Sequence, residues 1–589
     1  EHPEYRFGYE ALKMAAGSYT DESLCIFYDI KRWISDYERE EELTDKLGRR
    51  LFVKRKDILR EFLLYMIHAL ENRTKCMVKK IHMSNPVKQT HKFQRMFQEI
   101  LPEYALERRD MVDEGVSVLY NTISEMIDNN MVQRSREMKA LIIDCGGGTT
   151  DISSCIFKVE DKRVAYDIDI ETGYENGSTD FGGNNLTYRI MQLLKLRLLE
   201  SLRKQYQEHF LQDSWWVQKE FYGQKESFDR YAAAKVAAIP STHALLEPFN
   251  MDIFRYVDEV GTEPIYREFE RAYQLAEDVL PTRFKDWERQ TRDEYFQVKN
   301  NFYYLFQLAE QVKQALFENS LVFEVLLEVE SNHDPASRDK LDLYLQKVQE
   351  DGNRIYLPLD KWKLTICNHE GLNALNNLPD ISLSIFEAER LLCPDIYSMV
   401  HRFMNPLYES GELEDYNIIK LSGQSCKIDL FRTALKEFVP GKVIKSRKRQ
   451  DQGHESNELK MSCIDGVLKY LRDKNFGYAD VTIHNRTPHL PYILTGFTHK
   501  GEEVLLIHGG KEITHGLLSR NMDDLTLELY LKDEQDKLRY QFTYYCTLEE
   551  FSVKTQEEIE QIYGENIPQD DTDNIVDREV KFFIWAEPM

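Results

Sequence analysis

The spacing of apolar residues along the chain alternates between helical and strand-like, which predicts a mixed α/β protein. In the first 135 residues, RKDILREFLLYMIHALENRT and EGVSVLYNTISEMIDN have apolar positions at helical spacing, and CMVKKIHMS between them has a strand pattern. After residue 140, the apolar runs ALIID and ISSCIFKV predict buried strands, and RVAYDIDIE alternates as a third strand from Val164 to Ile170. LTYRIMQLLKLRLLESLRKQYQEHF follows as a long predicted helix.

The rest of the chain divides into three further regions by the same criterion. Residues 201–412 are mostly helical in pattern, with one strand signal, SLVFEVLLEVE. Residues 413–475 return to α/β, with a strand in NIIKLSG and helices in CKIDLFRTALKEF and ELKMSCIDGVLKYLRD. Beyond them, LTLELYL, LRYQFTYY and REVKFFIWAE mostly alternate. Alternation means that one face of a sheet is buried and the other solvated, so we expect an antiparallel β domain over residues 476–589.

Composition narrows the classes of function. The chain has 589 residues and a formal net charge of −25 at pH 7, which argues against a chain-wide surface for nucleic acid or anionic membranes. No apolar run approaches the roughly 18 residues that span a bilayer. The nine cysteines are scattered and form no metal-ligand spacing, as expected in a reducing compartment. We therefore expect a cytoplasmic protein that does not insert into a membrane and does not bind nucleic acid.

The most informative segment is LIIDCGGGTTDISSCIFKV (residues 141–159), in which three glycines separate two predicted strands. Glycine lets the backbone approach a ligand closely, and a row of N–H groups in such a turn binds anions. Neither a P-loop nor a dinucleotide fingerprint fits, because both need a helix after the glycines. Asp144 and Asp151 flank the run, which suits phosphate bound together with Mg²⁺. The structural alternative is a plain hairpin turn, although that needs only one or two glycines.

This segment resembles the second phosphate loop of the actin-fold ATPases, and most closely that of the 70-kDa heat-shock chaperones, whose loop has the pattern D-x-G-G-G-T-x-D. Further segments between Phe27 and Leu471 resemble the same family in the same order: FYDIKRWIS, VDEGVSVLYNTI, NGSTDFGGNNLTYRI, LAEQVKQALF, IIKLSGQSCKIDLFRTAL and CIDGVLKYL. The resemblance implies an actin-like (ribonuclease H-like) two-lobed ATPase, here a divergent bacterial-type member. An enlarged helical subdomain and the C-terminal antiparallel β domain are added to it.

The resemblance also implies the site residues and the cofactors, ATP or ADP with Mg²⁺. The nucleotide-binding residues would be Gly146, Gly147, Gly148, Thr149, Thr150, Gly182, Gly183, Glu310, Lys313, Gly423, Gln424, Ser425 and Lys427. The catalytic residues would be Glu114, which positions the attacking water, with Asp151, Thr149 and Lys13. Asp144 and Asp151 would orient the metal through water.

The sequence departs from the family at several of these positions. The family's first phosphate loop, an Asp-x-Gly-Thr hairpin, is not found, and the homologous region would lie before Glu1. Lys13 aligns with the family's catalytic lysine only with a one-residue insertion. Lys427 stands where an arginine stacks on adenine, and lysine stacks less well than a planar guanidinium. Gln314 replaces a second basic residue beside Lys313, so we expect altered nucleotide affinity or base preference.

Structural explanations remain open for the same residues. Asp144 could close the turn and Asp151 could cap it. Glu114 could be an acidic residue that the helix dipole favours at a helix N-terminus. Glu310 and Lys313, three apart on a predicted helix, could be a surface ion pair. The aromatic cluster at residues 214–216 could be either a partner surface or part of a core.

The predicted domains are ATPase lobe I (1–138), the lobe II sheet with its phosphate loop (139–200), the enlarged helical subdomain (201–412), the return of lobe II with its adenosine loop and crossing helix (413–475) and the β domain (476–589). The implied function is a slow Mg-ATPase switch that acts on a protein partner or client, as a chaperone does. One alternative is an ATP-driven actin-like filament protein. The other is a catalytically inactive scaffold of the same fold. The sequence does not predict the oligomeric state.

Overall fold

The computed structural model describes most of the chain, and within the described part the fold is mixed α/β, as the apolar spacing predicts. The described residues are 3–11, 14, 25–27, 30, 33, 36–44, 49–83, 90–106, 112–129, 136–178, 181–211, 227–318, 322–329, 354–359, 361–376, 379–445, 458–485, 492–498, 501, 503–508, 515–533, 538–547 and 579–585. Lys13 and residues 214–216 lie outside them.

The strands, in chain order, are β1 (Glu40–Thr44), β2 (Arg50–Lys54), β3 (Lys80–Ile81), β4 (Ala105–Leu106), β5 (Met138–Cys145), β6 (Thr150–Asp161), β7 (Tyr166–Ser178), β8 (Glu324–Val329), β9 (Arg354–Leu359), β10 (Thr365–Asn368), β11 (Gly371–Ala374), β12 (Ile381–Ser384), β13 (Ile418–Ser422), β14 (Ile444–Lys445), β15 (Ala479–Asn485), β16 (Tyr492–Phe497), β17 (Glu503–His508), β18 (His515–Asn521), β19 (Thr526–Asp533), β20 (Leu538–Tyr545) and β21 (Glu579–Trp585).

The helices are α1 (Arg55–Thr74), α2 (Thr90–Ile100), α3 (Glu114–Asp128), α4 (Gly183–Leu211), α5 (Arg230–Ala237), α6 (Thr242–Leu246), α7 (Ile253–Val260), α8 (Glu263–Glu277), α9 (Arg292–Glu318), α10 (Ile385–Glu409), α11 (Asp429–Leu435) and α12 (Glu458–Phe476).

The chain divides into two compact units, each made of two stretches of sequence. The first unit contains Glu1–Ile152 and Asn176–Tyr478, and the second contains Ser153–Glu175 and Ala479–Met589. The second unit thus includes most of β6 and β7 as well as the region in which the sequence predicts a β domain.

Three neighbouring strands of the first unit bring the glycine run to one edge of a sheet. β13 pairs in parallel with β14 on one side and with β5 on the other. The register of the pairing with β5 places Ser422 beside Asp144, so β13 and β5 end at the same level of the sheet. Since the carboxyl ends of parallel strands meet at one edge, the residues that follow β5 and β13 become neighbours there.

Helices α3 and α12 cross in the first unit at a glycine. A Cβ atom on Gly466 would lie 1.8 Å from the backbone oxygen of Ser117, so the two helix backbones touch where they cross. C-terminal to the crossing in both helices, Tyr120 Oη donates to Asp473 Oδ2 at 3.0 Å and Lys469 Nζ donates to Asn121 Oδ1 at 2.8 Å. The helical pattern predicts both elements, and the structure confirms them.

Helix α4 is the central element of the helical region and is held to its neighbours by charged side chains as well as by apolar packing. Arg189 forms ion pairs with Glu270 of α8 and with Asp395 of α10, the latter at 2.8 Å. Lys195 is fully buried, and its Nζ lies 2.5 Å from Glu277 Oε1. A buried pair of this kind is costly to break, because it leaves one charge without a partner.

The second unit is built mainly from antiparallel strands, as the alternating pattern predicts. β16 lies between β17 and β19, β20 follows β19, and β18 pairs with β21. β7 pairs in parallel with β15. The apolar core between the strands consists of Leu506, Ile507, Leu518, Leu527 and Leu529.

Three expectations from the sequence differ from the structure. CMVKKIHMS contributes only the two-residue strand β3. Val164 is 93% exposed and lies in the turn before β7, because Lys162 N–H donates to the Ala165 carbonyl there. The region that the sequence describes as mostly helical contains β9 to β12 in addition to the predicted strand β8.

Within the described residues, none of the helices combines the length and the apolar character needed to cross a membrane.

We predict that Gly466→Ala destabilises the protein by about 3 kcal/mol, the upper end of the cost of overpacking. The alanine methyl group would overlap the Ser117 carbonyl, which is backbone and cannot rotate away. The gain of about 1 kcal/mol in helix propensity does not offset this. Urea unfolding measures the change, and Gly441→Ala is the matched control because its Cβ would meet only the Lys436 side chain, at 3.6 Å. Equal stability of the two variants would contradict the close crossing.

Candidate functional site

The glycine run forms a tight turn between β5 and β6. Gly146 N–H donates to the Thr149 carbonyl at 2.9 Å and closes the turn. Thr149 Oγ1 donates to Asp151 Oδ2 at 3.3 Å, so this hydroxyl and this carboxylate lie together at the start of β6. The Thr150 hydroxyl is buried and donates to the Phe181 carbonyl at 3.1 Å, which ties the turn to the segment before α4.

A second glycine turn, at the start of α4, packs directly on the first. Gly183 N–H donates to the Gly146 carbonyl at 2.9 Å, and Asn184 N–H donates to the Gly147 carbonyl at 2.7 Å. A Cβ on Gly182 would lie 2.6–2.8 Å from backbone atoms of Gly147, Gly148 and Thr149. Glycine is therefore required at position 182 because backbone meets backbone there.

The segment after β13 contacts the same two turns. Gly423 has a φ of +82°, and a Cβ there would lie 2.2 Å from the Cys145 carbonyl oxygen and 2.5 Å from Asp144 Oδ1. Ser425 Oγ donates to the Gly146 carbonyl at 3.1 Å, and a Cβ on Gly183 would meet the same Oγ at 2.6 Å. Gln424–Lys427 forms a 3₁₀ turn, and Lys427 Nζ lies 3.8 Å from Glu318 at the end of α9.

Glu310 and Lys313 are tied to the start of α4 and do not form a solvated surface pair. Lys313 Nζ donates to the Gly183 carbonyl at 3.0 Å and to Thr187 Oγ1 at 2.6 Å, and it lies 2.7 Å from Glu310 Oε2. Burial raises the pKa of Glu310, but the charge of Lys313 and the hydrogen bonds from Lys313, Thr187 and Gln314 lower it below its ordinary value. The three N–H donors of the lysine thus have three acceptors within the protein.

Two thiols are buried in the same place. Cys145 and Cys426 are both inaccessible or nearly so, and burial raises the pKa of Cys145 to about 12 and that of Cys426 well above its ordinary value. Both sulfurs are therefore protonated at neutral pH, and a protonated thiol is a poor nucleophile and metal ligand. Cys145 is therefore a small buried residue at the end of β5.

Glu114 is the first residue of α3, and the N-cap before it is Asp113. Asp113 Oδ1 accepts a hydrogen bond of 2.7 Å from Val116 N–H. Burial, the largest effect, raises the pKa of Asp113 to about 6, although the hydrogen bonds from Val116 and Gly115 oppose the change. Glu114 is half-buried at the N-terminus of α3. This position is compatible with a catalytic glutamate and with an acidic residue that the helix dipole favours.

Gly147 is the position in the first turn that the fold itself does not require to be glycine. Neither it nor its two glycine neighbours has a φ in the left-handed region. A Cβ on Gly147 would meet nothing within 4 Å, so the space beside it is open. An open, bare stretch of backbone is what a bound anion needs.

The structure thus brings together Gly146–Thr149, Gly182, Gly183, Gly423, Ser425 and the Glu310–Lys313 pair. Sequence reasoning missed Thr187, which accepts a hydrogen bond from Lys313, and Asn184, whose N–H donates to Gly147. It also missed Asn185, whose side-chain oxygen accepts from Gly182 N–H at 3.0 Å. The paired asparagines after the two glycines were a usable signal, since asparagine bonds locally to backbone at helix starts. Among the described residues, no group of three or more His, Cys, Asp or Glu side chains is arranged to hold a metal ion.

No protein-family model matches this chain, and curated proteins include none with significant similarity to it.

We predict that Gly182→Ala and Gly147→Ala differ in stability. Gly182→Ala forces two backbone segments apart and costs about 3 kcal/mol. Gly147→Ala adds a methyl group in open space, so its free energy of unfolding stays within about 0.5 kcal/mol of the parent. Chemical denaturation of the two variants, which carry the same substitution in adjoining turns, is the measurement. A loss of the same size at Gly147 would show that the space beside it is filled.

We also predict a pH-dependent effect of Asp113→Asn. The pKa of Asp113 is about 6 in the folded protein and lower in the unfolded chain. Between about pH 4 and pH 6 the folded protein therefore holds a proton on this carboxyl group that the unfolded chain has lost. The contribution of Asp113 to stability falls as the pH rises through that range. Asparagine caps a helix as well as aspartate but cannot ionise. Asp113→Asn should therefore gain stability relative to the parent, by about 3 kcal/mol at pH 7.5, and little at pH 4. A difference that is independent of pH would contradict the shift.

Proposed function

We propose that the protein is an ATP-binding protein of the actin and heat-shock-chaperone type, a slow Mg-ATPase whose nucleotide state is transmitted to a protein partner or client. The observation that carries the proposal is the open, bare backbone at Gly147. The turn that contains it packs against the second glycine turn, at Gly182 and Gly183. Packing explains the glycines at 182, 183 and 423, whereas no contact among the described residues explains the one at 147. A ligand that occupies this space would explain it.

Phosphate oxygens suit this position because the turn offers backbone N–H groups and little steric bulk. Asp144 and Asp151, both half-buried, flank the turn at the end of β5 and the start of β6. Mg²⁺ usually keeps several waters and takes one or two carboxylates together with phosphate oxygens, so these two residues fit it. Bound there, the metal would neutralise the charge of the transferred phosphoryl group.

The protein's own residues would then do three things. Gly146–Thr149 would hold the phosphates, with the Thr149 hydroxyl oriented by Asp151. The segment Gly423–Lys427 and the Glu310–Lys313 pair would flank the nucleoside. Glu114 would orient the attacking water. In phosphoryl transfer such positioning and charge stabilisation account for most of the catalysis.

A catalytically inactive scaffold is the second candidate, and one observation favours it. All three donors of Lys313 are used by Gly183, Thr187 and Glu310, so its tie to α4 is complete without a ligand. In that case the Glu310–Lys313 pair serves only to hold α9 to α4. Release of inorganic phosphate from ATP separates the two candidates. Light scattering with and without ATP tests the filament alternative.

We predict that the protein binds Mg-ATP and that Gly147→Ala lowers the affinity at least tenfold without changing stability, because the added methyl group takes the space of a phosphate oxygen. Asp151→Asn should lower the rate of ATP hydrolysis at least tenfold while ADP affinity changes less than twofold, since it removes a charge beside the metal and not beside the base. Titration calorimetry and phosphate release are the measurements. Asp415→Asn, an exposed aspartate in the same unit, is the control.

Absence of nucleotide binding by the parent protein would contradict the proposal. Parental hydrolysis by Asp151→Asn would remove the assigned role of this residue and leave the binding site. Binding without phosphate release would support the inactive scaffold.

A further inference from the structure

Strand β20 is the terminal strand of the four-stranded sheet in the second unit, and among the described residues it pairs with β19 alone. Every residue of the strand is exposed. Its aromatic side chains are strongly so: the exposed fractions are 65% for Tyr540, 41% for Phe542, 53% for Tyr544 and 82% for Tyr545. Proteins usually protect a free strand edge with charges, proline or a covering segment, so an exposed aromatic edge needs an explanation.

Tyr540, Phe542 and Tyr544 continue the core-facing side of the sheet, whereas Tyr545 stands beside Thr526 on the other face. In the pairing with β19, Tyr544 stands beside Leu527 and Phe542 beside Leu529. Both leucines are buried in the core of this unit, whereas their aromatic neighbours are not. Directly opposite residues on antiparallel strands point to the same face. The apolar face of the sheet therefore continues onto β20, where its side chains are no longer buried.

From Tyr540 onwards the edge is uncharged in a strongly acidic protein, and Arg539 is the one charged residue of β20. Residues 540–545 read Tyr-Gln-Phe-Thr-Tyr-Tyr and contain no charged residue and no proline, while the whole chain has a net charge of −25. The register shift at the start of the strand falls before Tyr540, so the pairing is regular from Tyr540 to Tyr545. The partner of this edge should itself be uncharged and aromatic or apolar, which disfavours a basic or acidic peptide.

The strand is complementary to a second copy of itself. If two β20 strands pair antiparallel with the two-fold axis at Phe542, then Phe542 meets Phe542 of the second copy and Tyr540 meets its Tyr544. On the other face, Gln541 meets Thr543. Aromatic pairs across strands stabilise a sheet and the amide and hydroxyl can hydrogen-bond, while no two like charges meet. A pairing shifted by one residue would place the aromatic side chains opposite the polar ones.

The area available fits a weak, concentration-dependent contact. Three aromatic side chains of roughly 200 Å² each, Tyr540, Phe542 and Tyr544, offer about 320 Å² per copy and about 640 Å² for two copies at the exposed fractions given above. This is less than a stable protein interface buries, so the backbone hydrogen bonds of the new strand pair must contribute to the association.

We propose that β20 is a homodimerisation edge, at which two copies of the chain pair antiparallel through Tyr540–Tyr544 about Phe542 and join their sheets into one. The occupant of the exposed aromatic face is then the aromatic face of the second copy. This inference is independent of nucleotide binding.

The position on the two-fold axis gives the sharpest test, because the side chain at residue 542 meets its own copy. Phe542→Lys and Phe542→Asp should each weaken dimerisation at least 100-fold, since each places two like charges opposite one another. An equimolar mixture of the two variants should recover a heterodimer, since the charges then attract. Sedimentation velocity of the full chain at micromolar concentrations measures the oligomeric state of each variant and of their mixture. Circular dichroism verifies that each variant is folded.

The register has a test of its own. Tyr540→Lys and Tyr544→Asp should each weaken the dimer, and the double variant should regain it, because every lysine then meets an aspartate of the other copy. Val164→Asp, which introduces the same kind of charge at a 93% exposed position of the same unit, should dimerise like the parent. A parent protein that is monomeric at all accessible concentrations would overturn the proposal. So would charged variants at residue 542 that dimerise like the parent, or a mixture that does not associate.

Discussion

The contact between two stretches of bare backbone determines the arrangement of the first unit. Gly182 and Gly183 rest on Gly146–Thr149 with no side chain between them, and two backbone hydrogen bonds fix the contact. Because α4 begins at Gly183, this contact sets the origin and direction of a helix of 29 residues. The residues along that helix then hold α8, α9 and α10, so the position of the helical region follows from a contact that only glycine permits.

The ionic ties of α4 make its position specific. Lys195 is buried against Glu277 and the ring of Tyr273, and burial lowers its pKa to about 8, so it still carries a charge at neutral pH. Arg189 lies 3.8 Å above the ring of Tyr266 and binds two carboxylates from different helices. An apolar residue could pack in either place, but it could not select these partners, and a shifted α4 would leave charges unpaired. Glycine contacts at its start and these ionic ties along its first half fix the helix.

The sequence predicts those features that depend on local pattern. Apolar spacing predicts α1, α3, α4 and α12, and the triple glycine predicts the turn. It does not predict β9 and β12, whose partner β8 lies far away in the chain, or the β10–β11 hairpin, whose strands have only four residues each. It also misplaces Val164, which continues the alternation of β7 but lies within the turn that begins at Lys162. The partners of Lys313 are not predictable either, since the helix spacing that places it beside Glu310 says nothing about Gly183.

These partners bear on how the proposed nucleotide switch would work. Lys313 cannot donate to a nucleoside without giving up one of its three acceptors, which are Gly183 and Thr187 of α4 and Glu310 of its own helix. If the acceptor given up is Gly183 or Thr187, the tie between α9 and the start of α4 becomes incomplete. A ligand that prefers one of these two states of the lysine shifts their populations by its difference in affinity, and no more. Since Gly183 also rests on the Gly146–Thr149 turn, a change in this tie would reach that turn through backbone, which cannot yield by rotating a side chain.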